Sequence, residues 1–214
     1  MTILLSDPAV GAVPVVENHD PLIALPVRLS PARCRVRRGL AGRLVRAAAS
    51  LPAGIELRVV EGHRPAAEQQ AIIDRYTAQV RAHHPHARGA ELEALVSRFV
   101  SPLAVAPHVA GAAVDLTLVG PDGPLDLGTE IDATPEQSGG RCFTASTDID
   151  PVARQHRELL GVALGGAGLV NYPTEWWHWS WGDRYWALTT GAGVAPYGPL
   201  DATGRPLHTA RGAA

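Results

Sequence analysis

The chain has 214 residues, 46% of them apolar and 19% charged, with a formal net charge of −2. These are globular values: they exclude a disordered chain, and with no long run of one charge sign a nucleic-acid partner is not expected. All 19 basic residues are arginines, so Schiff-base chemistry, a Walker lysine and a lysine general base are excluded.

Pro8, Pro14, Pro21, Pro26 and Pro31 mark residues 1–30 as an extended lead that blocks regular helix, with short edge strands at 13–16 and 22–27. The only apolar run there is Ile3-Leu4-Leu5, with no basic residue before it. It is too short for a signal peptide and no transmembrane stretch follows, so a cytoplasmic location with no membrane partner is expected. Leu40, Leu44, Ala47 and Ala48 predict a helix over 39–51, and 55–60 reads as a strand. That strand delivers Glu61-Gly62-His63-Arg64-Pro65. Pro65 at the first helical position opens a helix to about 84, with Ile72, Tyr76 and Val80 inward. His83-His84-Pro85-His86 is interrupted by proline, lacks an adjacent carboxylate, and reads as a solvated loop. A second helix spans 89–100.

Over 113–119, Val114, Leu116 and Leu118 share one face of a strand and Asp115 and Thr117 the other. Asp115 therefore points away from the core, toward a site, with His108 in the loop before it. Residues 120–150 form a long loop rich in Pro, Gly, Asp, Ser and Thr, a length that points to function. A helix over 152–164 should bury Val152, His156, Leu159, Leu160 and Ala163. A strand starts at Leu169-Val170. The aromatic run 176–181 reads as another strand, with Trp177, Trp179 and Trp181 on one face and His178 and Ser180 on the other. The tail 191–214 reads as irregular. Cys34 and Cys142 lie far apart and read as reduced thiols.

Two imidazoles, His108 and His178, and the Asp115 carboxylate suit a divalent ion. Three protein ligands leave a tetrahedral ion one open position, the mark of a catalytic zinc site. Glu175 stands close to His178 in sequence and could take a proton from water there. Each residue alone reads equally well as structural; their conjunction beside Arg64 carries the argument.

These stretches resemble the zinc D-alanyl-D-alanine dipeptidases of the VanX type, within the superfamily of zinc D-Ala-D-Ala carboxypeptidases. The resemblance runs over about 55–190. It rests on Gly62-His63-Arg64-Pro65, on the His-x-x-Gly-x-Ala-x-Asp run from His108 to Asp115, and on Glu175-Trp176-Trp177-His178. A weaker match is Leu127-Gly128-Thr129-Glu130-Ile131-Asp132. The resemblance implies one zinc ion on His108, Asp115 and His178, and Glu175 as general base. It also implies Arg64 at the oxyanion, with Asp132 and Trp177 binding substrate. Ala106 replaces the family's usual serine, His63 a common aromatic and Ile131 the usual phenylalanine; these departures touch substrate recognition and leave the metal and base intact.

The expected fold is α+β: a small, largely antiparallel sheet with helices packed on one side and the zinc site on the other, in one domain spanning 1–214. The expected function is zinc-dependent hydrolysis of a short peptide with a free amino end, D-alanyl-D-alanine above all. A peptidoglycan D,D-carboxypeptidase and a biosynthetic amide hydrolase share the same metal residues. A non-haem iron enzyme could use the same triad but gives Glu175 no task. A non-catalytic peptide-binding domain leaves the base and arginine unused. The expected partner is a small dipeptide.

Overall fold

The computed structural model describes residues 2–201 and 203–207, so residues 208–214 of the expected irregular tail lie outside the described residues. In chain order the elements are α1 (Pro8–Ala12), β1 (Leu22–Ala24), β2 (Arg35–Arg37), α2 (Arg38–Ala49), β3 (Glu56–Glu61), α3 (Ala66–His83) and α4 (Gly89–Val96). After them come β4 (Ala113–Gly120), β5 (Gly123–Pro124), α5 (Pro135–Ser138), α6 (Pro151–Gly166), β6 (Val170–Asn171), β7 (His178–Ser180) and α7 (Arg184–Thr190). The main sheet runs β3-β4-β7-β6, with β5 also on β4, and every pairing in it is antiparallel. β1 and β2 form a separate antiparallel pair.

Alternation along β3 and β4 builds the core as expected. Leu57, Val59, Val114, Leu116 and Leu118 pack with Leu40 and Leu44 of α2 and with Leu160 and Leu164 of α6. Each such buried aliphatic stabilises by about 1.5–3 kcal/mol. The other face of the sheet carries Asp115. α2 and α6 thus cover one face and the site occupies the other, and α3 adds a wall on the site side through Gln69, Ile72 and Arg75.

Several expectations are corrected. The lead does hold a helix, α1: Asp7 caps it by accepting from the Ala9 N–H, and Pro8 sits in its first turn, where a missing N–H costs nothing. The edge strand expected at 13–16 reduces to one bridge between Val15 and Ala195. Pro65 is the residue before α3 rather than its first, and α4 ends at Val96, four residues early. Only His178–Ser180 of the aromatic run is strand; Trp176 and Trp177 lie in the turn before it.

The buried face of α6 is one residue out of step with the expected one. Val152 is exposed, and Ala153, Arg157, Leu160, Ala163 and Leu164 face inward. The intruder is Arg157. Its guanidinium donates to the carbonyls of Leu127, Arg141 and Phe143, so a buried cation is satisfied entirely by backbone of the 120–150 loop. Burial pushes its pKa down to about 10.

Asp183 caps α7, accepting from the amides of Tyr185 and Trp186 while almost fully buried. Burial raises its pKa to about 6. A folded pKa above the unfolded value means that the folded state holds the extra proton. The stability this contributes is complete below about pH 4 and is lost as pH rises through about 6. Asp183→Asn keeps an acceptor for the cap and removes the charge. Relative to the parent, it is expected to gain up to about 3 kcal/mol between pH 4 and 7. Urea denaturation across that range checks it; parallel curves for the two proteins would refute it.

Candidate metal centre and cleft

Three elements converge on the polar face of the sheet. In the antiparallel pairing of β4 with β7, Asp115 stands directly opposite His178, so both side chains emerge side by side on one face. His108 comes from the loop ahead of β4. That loop is folded tightly: the Gly111 amide donates to the His108 carbonyl and the Arg37 amide to the Gly111 carbonyl. Gly111 takes φ +63°, and a Cβ there would meet the Leu22 side chain at 2.5 Å, so any other residue would be strained and would have to displace Leu22.

The three side chains are buried and their donor atoms form a near-equilateral triangle. His108 Nε2 lies 3.1 Å from His178 Nδ1 and 3.3 Å from Asp115 Oδ1, and His178 Nδ1 lies 3.1 Å from Asp115 Oδ1. A tetrahedral zinc at about 2.0–2.1 Å from each ligand spaces them by about 3.3 Å. Two imidazole nitrogens and a carboxylate oxygen at this spacing form a set able to hold a metal ion. His108 Nδ1 lies 2.7 Å from the Gly62 carbonyl; donating there fixes the tautomer that leaves Nε2 as a bare donor atom. His178 Nε2 is buried with no hydrogen-bond partner among the described residues. Burial alone would raise the Asp115 pKa, but the neighbouring imidazoles pull it well below the carboxylate range. His178 moves down, chiefly through burial.

Glu175 ends a tight turn in which its amide donates to the Tyr172 carbonyl, and Asn171 Nδ2 donates to the carbonyls of both Glu175 and His178. Its Oε2 lies 3.7 Å from His178 Nδ1, outside the triangle. Burial, then the Asp115 and Asp132 carboxylates, push its pKa well above the ordinary range.

The triangle opens into a cleft of about 310 Å³ that also receives Arg64, Asp132, Glu175 and Trp177, so the residues expected to act meet there; of the three departures, Ala106 lines the cleft and His63 and Ile131 do not. Trp177 is nearly fully buried and packs edge-on against Trp176. Asp132 stays open to solvent at the cleft edge with φ +64°, its pKa raised by partial desolvation and by Asp115 and Glu61. Arg64, just ahead of α3, makes an ion pair with Glu61. Nε and NH2 donate to the two Glu61 oxygens at 2.7 and 2.6 Å, and NH1 to Gln69 Oε1 at 2.7 Å. Three of the five guanidinium N–H groups are used in this way, and two remain for a ligand.

Glu61 and Gln69 are site residues that the sequence reading left without a role. By alternation Glu61 should share the core face with Leu57 and Val59. The register shifts between Val59 and Glu61, and this bulge turns Glu61 to stand opposite Asp115. The signal for Gln69 was its position one turn into the helix that follows Arg64. The histidines at 83, 84 and 86 are exposed and do not line the cleft; His83 ends α3, so the expected loop begins only at His84, and both cysteines are free.

A mixed α/β protein with a metal-binding cleft at its sheet is the class that fold and site define. The chain belongs to the Peptidase_M15 family, described as D-ala-D-ala dipeptidase, which matches residues 29–190. It is 31% identical over 152 residues to a D-alanyl-D-alanine dipeptidase of Synechocystis sp. (strain ATCC 27184 / PCC 6803 / Kazusa), covering 62% of this chain and 62% of that protein. It is 36% identical over 72 residues to the D-alanyl-D-alanine dipeptidase of Escherichia coli (strain K12), covering 33% and 35%. The chain therefore matches less than two thirds of the length of either relative. Among solved structures, the vancomycin-resistance D,D-dipeptidase VanXYg in complex with a D-Ala-D-Ala phosphinate analogue aligns at 18% identity with a TM-score of 0.46, covering 89% of this chain and 72% of that one. Among the described residues, no helix is long and apolar enough to cross a membrane.

Proposed function

We propose that this chain is one domain of zinc dipeptidase that hydrolyses a short peptide with a free amino end, D-alanyl-D-alanine being its substrate. The observation that carries the reading is the triangle of His108 Nε2, Asp115 Oδ1 and His178 Nδ1, with the Glu175 carboxylate 3.7 Å from its His178 corner. All four residues fall inside the range that matches the dipeptidase family.

His108, Asp115 and His178 hold the ion. Bound there, zinc supplies Lewis acidity, acidifying water toward a pKa of about 7 and polarising the scissile carbonyl. Glu175 takes the proton of the attacking water and passes it to the leaving amine; its raised affinity for protons suits a carrier that must both accept and release. The two free N–H groups of Arg64 stabilise the oxygen on which negative charge develops. Glu61 and Gln69 hold the guanidinium fixed, so it need not reorganise during the reaction. Asp132 accepts the substrate ammonium, and Trp177 walls the cleft against water. In this reading the protein works on the free dipeptide in the cytoplasm, which cell fractionation would check.

The test is release of D-alanine from D-alanyl-D-alanine by zinc-loaded protein, with L-alanyl-L-alanine and an N-acylated D-alanyl-D-alanine alongside. Turnover of the free D,D-dipeptide above both is the expected result. Preference for the acylated peptide would replace the dipeptidase by a carboxypeptidase. Arg64→Ala should lower kcat by about 10²–10³ with little change in KM, because its contact strengthens only as charge develops. A change confined to KM would show that Arg64 only binds substrate.

A further inference from the structure

Residues 2–28 precede the range matched by the family, yet they reach the cleft. Leu5 is nearly fully buried and lines the cleft beside Tyr172. It is fastened there by the chain around it: its amide donates to the Tyr172 hydroxyl at 3.2 Å, and the Ser6 amide donates to Ser97 Oγ at 2.8 Å. The Tyr172 hydroxyl in turn donates to the Ser97 carbonyl. α1 follows at once and packs on α7.

Behind Leu5 lies a second hollow of about 610 Å³, lined mainly by apolar side chains that include Ile73, Leu92, Val96 and Val105. Leu5 and Val100 belong to the lining of both hollows. Both are buried aliphatics held in place by packing. The polar cleft and the apolar hollow thus share a wall made by these two side chains.

We propose that Leu5, seconded by Val100, is the residue that sets substrate length: it partitions the catalytic cleft from the apolar hollow and so confines the site to a dipeptide-sized ligand. The inference rests on the metal-site reading above. A 310 Å³ chamber takes a molecule of two small residues; joined to the hollow, it would take a longer one with an apolar extension. Leu5 comes from the segment ahead of the matched region and Val100 from within it, so the partition joins the two.

The probe is a pair of hydroxamates, which bind a zinc ion whatever the natural substrate: acetohydroxamate and a phenylalkyl hydroxamate. Affinities for the zinc-loaded parent, Leu5→Ala and Val100→Ala are read by calorimetry. The long-to-short affinity ratio should rise by about tenfold or more on opening the partition, as the phenyl group gains apolar surface to cover it. A rise in either variant supports the partition, and Val100→Ala stands in should Leu5→Ala fail to fold. A ratio unchanged in both overturns it. If neither hydroxamate binds the parent at all, the metal-site reading has failed, and the partition falls with it.

Discussion

Glu175→Gln is expected to retain zinc and to lose at least about 10³-fold in turnover. The magnitude is that of removing a positioned general acid–base in a step that needs it twice, once to accept and once to return a proton. Retention of zinc follows from geometry: the three converging atoms belong to His108, Asp115 and His178, while Glu175 Oε2 stands 3.7 Å from His178 Nδ1. Glutamine has the same shape, and the turn that presents residue 175 is held by backbone groups and Asn171, none of which changes. Stability should not fall. The parent carboxylate is buried beside Asp115 and Asp132, and replacing a charge by an amide removes that repulsion. Rate, bound zinc and the urea midpoint, measured together, separate chemistry from structure. A variant that keeps a tenth of the parent rate would end the assignment of Glu175 as the base.

How much of this site could be read from the chain depends on how local each cause is. The Asp115–His178 pairing follows from two period-2 patterns: alternation puts each residue off the core face, and antiparallel pairing then sets them side by side. His108 was legible from its spacing to Asp115 and from the glycine between them. Glu175 was singled out by its place three residues before His178, and the resemblance to a known family implied the same part as general base, which no pattern of alternation could. Glu61 was hidden by a bulge, because one extra residue in β3 reverses the face on which every later side chain lies. Arg157 broke the expected face of α6 because its buried charge is satisfied by carbonyls 14 to 30 residues away in a loop that has no periodicity of its own. Leu5 was seen only as a short apolar run; its role depends on where the N-terminal segment crosses the fold. α1, in contrast, was readable: Asp7 before Pro8 is a start signal that counting prolines obscured.

Asp115→Ala is expected to abolish tight zinc binding and, with it, the dependence of folding stability on zinc. Changing a residue that merely orients a ligand already costs about 10–100-fold in metal affinity, so removing a ligand should cost more than about 100-fold. The consequence for stability follows by linkage. An ion that binds the folded chain and not the unfolded one stabilises it by RT ln(1 + [L]/Kd), about 4 kcal/mol at a thousand times Kd. Adding a chelator to the zinc-loaded parent should therefore lower its unfolding midpoint, and adding it to Asp115→Ala should do nothing. Without the ion, the parent keeps Asp115 between two imidazoles, one of which it holds protonated more readily than usual: burial alone lowers the His108 pKa, but the Asp115 charge reverses this and raises it. The variant lacks that partner and leaves two imidazole nitrogens facing each other at 3.1 Å, so some loss of stability is expected even in chelator. The diagnostic is the difference between the two proteins in their response to zinc. Equal midpoint shifts, or equal zinc stoichiometry after dialysis, would remove Asp115 from the ligand set and with it the three-ligand centre.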